Sequence, residues 1–72
     1  MDIIQLRLSL SNIELAIRQH IIGADWTPAQ RDRMAREAYL YTLVLDGGAV
    51  SVDALERARL FVAAIGREGG AS

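Results

Sequence analysis

His20 is the single histidine of a 72-residue chain that contains no cysteine. A lone imidazole has no thiol to activate, and without thiolates it makes a poor start on a zinc site. The lack of cysteine also removes any disulfide framework. Ser9, Ser11 and Ser51 fall where helix capping or solvent exposure accounts for them, and nothing nearby supplies an oxyanion hole. Gly47-Gly48 is not followed by the Lys-Ser/Thr of a phosphate-cradling loop, so it reads as a helix stop. The carboxylates find simpler partners than each other. Glu14/Arg18, Asp32/Arg36 and Asp53/Arg57 are each four residues apart with the acid first, the favourable order on a helix. The chain is expected to be no enzyme and to use neither cofactor nor metal.

What remains for function is contact. All eight cations are arginine, against nine carboxylates, for a formal net charge of −1. A high-GC coding bias explains the missing lysine as readily as a need for planar, bidentate contacts. General affinity for the nucleic-acid backbone calls for a basic excess, which is absent. Trp26 stands close to Arg31, Arg33 and Arg36. Tryptophan and arginine are enriched among residues that dominate binding energy, so these four form the candidate partner-binding site. A second reading makes Trp26 a staple against the stem of Arg31. Asp25, Asp32 and Glu37 lie among the arginines and weigh against a phosphate ligand.

Three helical segments must position these residues, over about 3–22, 28–46 and 51–65. The chain is read as a single domain, 1–72, with a frayed tail at 67–72. Thr27 and Gln30 make a capping box around Pro28, which suits the first helical position. That segment should run to Asp46 and stop at Gly47-Gly48. Ser51 is a plausible cap for the third segment, Asp53 suits its first turn, and Gly66 is placed to end it. Expected core lines are Met34, Ala38, Tyr41 and Leu45, widened by Leu40, Leu43 and Val44, and then Leu55, Ala58, Val62 and Ile65. The second half of the middle segment should therefore be enclosed.

The first segment carries two apolar stripes when read as a helix. Ile3, Leu6, Leu10, Ile13, Ile17 and Ile21 form one, and Ile4, Leu8, Leu15 and Ile22 the other. A helix with two stripes needs two packing partners, unless it is central enough to merge them. Four exposed leucine or isoleucine side chains forgo several kcal/mol, a large share of the ~5 kcal/mol a small domain holds. The second stripe is therefore assigned to self-association, most simply as a two-fold homodimer forming a helical bundle. The fold class is all-α, a compact three-helix domain. The expected function is protein–protein interaction, as an adaptor, a chaperone or an inhibitor of a larger protein, including a phage-type inhibitor of a host protein. No apolar run reaches the ~20 residues of a membrane span and Asp2 opens no secretory leader, so a cytoplasmic location is expected.

An alternative stays open. Ile4, Leu6, Leu8 and Leu10 alternate with Gln5, Arg7 and Ser9, a period of two, and Ser11-Asn12-Ile13-Glu14 then reads as a capping box. A strand followed by helices from Asn12 and Pro28 resembles the ribbon-helix-helix family of dimeric repressors across residues 4 to 45. The resemblance implies DNA binding, with Gln5, Arg7 and Ser9 facing the bases. Gly48-Ala49-Val50-Ser51 resembles a helix-turn-helix turn, but Asp53 and Glu56 would sit at the base-reading end.

Overall fold

A computed structural model of the chain describes residues 2–48 and 50–70, with side-chain surroundings as far as residue 65. It contains three helices, α1 (Ile3–Arg18), α2 (Pro28–Asp46) and α3 (Val52–Gly70). Among the described residues there is no strand, so the alternating reading of residues 4–10 is corrected. Asp2 starts the helix by accepting from the Gln5 N–H at 2.8 Å. A period of two would put Leu6, Leu8 and Leu10 on one side. The helix instead buries Leu6 and Leu10 completely and leaves Leu8 half in water.

The other two helices begin at the expected caps. Thr27 Oγ1 accepts from Gln30 N, and Gln30 Oε1 accepts from Thr27 N, closing the capping box. Ser51 Oγ accepts from Ala54 N at 3.1 Å and opens α3. α2 ends at Asp46 before Gly47, as expected, while the C-terminal ends of α1 and α3 depart from expectation in opposite directions. α1 stops at Arg18 rather than residue 22, while α3 continues through Gly66 to Gly70. A glycine permits the left-handed cap without requiring it, so Gly66 alone does not end a helix. Residues 67–70 of the expected frayed tail thus belong to α3, and 71–72 lie outside the described residues.

The core is a single line along α1, Leu6, Leu10, Ile13 and Ile17, met by Ala35, Ala38 and Leu45 of α2 and Ala58 and Ile65 of α3. Alanine at three facing positions lets the helix backbones approach closely. Leu55, Phe61 and Val62 pack at the margin of this core. The Phe61 ring lies 5.4 Å from that of Tyr41, tilted by 49°, and joins α3 to α2. On α2 the buried line is Arg31, Ala35, Ala38, Thr42 and Leu45, with Met34 and Tyr41 half-buried. Leu40, Leu43 and Val44 therefore do not widen the core as expected, and that half of α2 is not enclosed. The reason is size: only one more helix, α3, covers α2, and its face is taken up by Tyr41 and the alanines.

Candidate functional site

The connection between α1 and α2 is held by backbone hydrogen bonds and by side chains reaching into it. After Arg18 the chain turns with His20 in the left-handed conformation, φ 62°. His20 N donates to Ile17 O and Ile21 N to Ala16 O, the paired bonds of a Schellman cap in which glycine is the usual residue. Arg31 reaches back from the first turn of α2 into this corner. Its Nη1 donates to Ile17 O and Ile22 O, at 3.0 and 3.1 Å, and its Nη2 donates to Gly23 O. One carbonyl at the negative end of α1 and two of the following connection thus share one guanidinium, whose charge suits the helix dipole. The arginine is only 9% exposed.

This placement corrects the reading of Arg31 as a projecting, partner-binding side chain. It also explains the short α1, because continuing that helix to Ile22 would dismantle the carbonyl cluster. Trp26 belongs to the same corner. It is half-buried against the cluster of Ile13, Ile17, Ala35, Ala38 and Ile65, and its ring lies directly over Gly23. A Cβ at Gly23 would overlap the indole, and φ 67° there independently favours glycine. An open cavity of about 380 Å³ runs beside the indole, lined by Arg18, His20, Trp26, Arg31 and Asp32 among others. Arg33 and Arg36 do project into solvent, and Arg36 pairs with Asp32 at 2.8 Å. The four partner-binding candidates are therefore divided: two are built into the corner and two stand on the outer surface of α2.

The self-association candidates divide differently. Ile4, Leu8 and Leu15 are 72%, 50% and 55% exposed and share one face of α1. At about 100° per residue that face points away from the Leu6/Leu10/Ile13/Ile17 line. The two stripes therefore do not merge into a single buried face. Ile22 leaves the set: it lies beyond the helix end and packs against the core. Leu40, Leu43 and Val44 are exposed residues that the sequence reading had placed inside. Their apolar run was visible; its direction was not.

Arg7 and Asp46 tie the start of α1 to the end of α2. Nε meets Oδ1 at 2.6 Å and Nη2 meets Oδ2 at 3.0 Å, a bidentate fork between the two antiparallel helices. Hydrogen bonding to Arg7 holds the Asp46 carboxyl below its ordinary range, and the same bond raises Arg7. Glu14 and Arg18 pair at 3.0 Å on the same flank of α1. Burial pushes the Tyr41 phenol up, Glu37 adds to the shift and Arg57 opposes it. Sequence reasoning missed the Arg7–Asp46 fork, since the residues are 39 apart and no local pattern links them. Among the described residues, no three His, Asp or Glu side chains come together as a metal site, and no helix is long and apolar enough to cross a membrane.

Comparison with known proteins finds no matching family model, no matching curated protein and no matching solved structure.

Proposed function

We propose that this chain is a non-enzymatic interaction domain that acts in the cytoplasm as a homodimer and binds another protein. An adaptor, a chaperone or an inhibitor of a larger protein, phage-type inhibitors included, falls within that class. The observation that carries the reading is the outward face of α1. Ile4, Leu8 and Leu15 remain at least half exposed on the side opposite the core. Scattered surface leucines need no explanation, but a helical row of them on one face does. A protein partner would then meet the Arg33/Arg36 end of α2 and the open side of Trp26. Arginine and tryptophan are suited to such contacts.

The ribbon-helix-helix alternative has lost its motive. The segment it needs as a strand is helical, and Arg7, its one basic base-reading candidate, is forked to Asp46. The test of the protein-binding reading is a pull-down from the native host with wild-type chain and with Arg33→Glu/Arg36→Glu. A protein retained by the wild type and released by the variant is expected. Equal retention by both, or binding to a palindromic duplex instead, would overturn it.

A further inference from the structure

The outward residues of α1 are Ile4, Leu8, Ser11 and Leu15, at spacings of four, three and four. That alternation is the one a helix offers to a second helix in a coiled-coil seam. Resting on the dimer reading above, we propose that the seam pairs with the same seam of a second copy in antiparallel order. Ile4 then faces the partner's Leu15, and Leu8 faces the partner's Ser11.

Three observations select this occupant and this direction. The first is size. Ser11 is the one small side chain in the row, and antiparallel order sets it against Leu8 in both inner layers. Parallel order would stack Ser11 on Ser11 and Leu8 on Leu8, leaving one layer underfilled and the other crowded. The second is charge. Arg7 and Glu14 lie on the same flank of the seam, seven residues apart. Antiparallel order brings Arg7 within a turn of the partner's Glu14, and two-fold symmetry repeats the pair. Parallel order would set Arg7 beside Asn12 and Glu14 beside Gln19, with no opposite charge to meet. Both side chains are already held in place, Arg7 by Asp46 and Glu14 by Arg18, so each crossing joins four charges of alternating sign.

The third observation is area. The exposed fractions of Ile4, Leu8 and Leu15 amount to just under two large apolar side chains, roughly 100–200 Å² per copy. A standard interface places about 450 Å² of apolar surface per partner, so a seam this narrow suits a weak pairing of two single helices and not an obligate dimer.

The chain has no native cysteine, so engineered ones report the register cleanly. Ile4→Cys, Leu15→Cys and their equimolar mixture would each be oxidised at tens of micromolar and resolved by mass. Both substituted positions lie on exposed side chains, and circular dichroism verifies that each variant stays helical. Antiparallel order predicts disulfide dimers in the mixture, carrying one chain of each kind. Each single variant should stay uncrosslinked, because identical positions lie about 16 Å apart along the axis, beyond the ~7 Å reach of a disulfide. Homodisulfides in the single variants would show parallel order and overturn the register. No cross-link in any sample, with light scattering still reporting a dimer, would place self-association elsewhere on the molecule. No cross-link with a monomeric wild type would overturn the homodimer itself and leave the face to a different protein.

Discussion

The α1–α2 corner and the outer face of α1 use their residues in opposite ways. In the corner, Arg31 and Trp26 are the kinds of side chain that dominate protein interfaces, yet both are drawn into the fold. On the outer face, isoleucine and leucine are the kinds of side chain that fill cores, yet Ile4, Leu8 and Leu15 remain wet. The corner is closed in the sense that matters for polar groups: no buried side-chain nitrogen or oxygen among the described residues lacks a partner. The outer face is open in the sense that matters for apolar groups. Residue type alone would assign binding to the corner and structure to the face. Burial and hydrogen bonding give the corner a structural role and leave the face without one.

Breaking the corner should therefore cost stability, with the largest effect at Arg31. Arg31→Met removes a charged donor from three carbonyls and leaves them poorly satisfied, at a cost of about 3 kcal/mol. Chemical denaturation would show it as a lower midpoint. Arg31→Lys should recover little, since a point-like ammonium cannot span carbonyls on two sides of a fork. Gly23→Ala comes next. Its Cβ meets the Trp26 ring and its φ is positive, so a loss of about 2 kcal/mol is expected by the same measurement. His20→Gly should act in the opposite direction. It relieves a left-handed non-glycine residue and is expected to raise stability by about 0.5–1 kcal/mol, net of the greater freedom of the unfolded chain.

The smallest effect concerns acid. Hydrogen bonding to Arg7 depresses the folded-state pKa of Asp46, so its contribution is present above the ordinary carboxylate value, 3.8, and is lost as pH falls through the lower folded value. The melting temperature of the wild type should fall more than that of Asp46→Asn on acidification from pH 5 to below 3.8. Both groups are exposed, so the difference should be slight and should shrink in high salt. Tyr41 gives the opposite sign: burial raises its pKa, so stability is full below the ordinary phenol value, 10.0, and is lost as pH climbs from there through the raised one.

Local signals carried most of the fold. The Thr27/Gln30 box, Pro28, Asp2 and Ser51 each satisfy their own helix ends with atoms three residues away, and sequence spacing reports such contacts directly. The outward direction of Ile4, Leu8 and Leu15 was likewise legible from helical period. What could not be read depended on distant partners. Arg31 ends α1 through carbonyls 8 to 14 residues away, which moves the helix end from residue 22 to Arg18. Leu40, Leu43 and Val44 read as core because they are apolar and contiguous. The two covering helices, α1 and α3, already had Ala35, Ala38, Tyr41 and Leu45 to bury, and among the described residues no further element encloses them.

The contrast between closed corner and open face stands or falls on one measurement. Light scattering across a micromolar concentration series compares the wild-type chain with Leu8→Glu/Leu15→Glu. The account predicts a wild-type mass rising toward twice 7.9 kDa and a double variant that stays at 7.9 kDa with unchanged helical content, since a charge buried without a partner is costly only in the dimer. A wild type that remains at 7.9 kDa throughout, or a double variant that dimerises as well as the wild type, would contradict it.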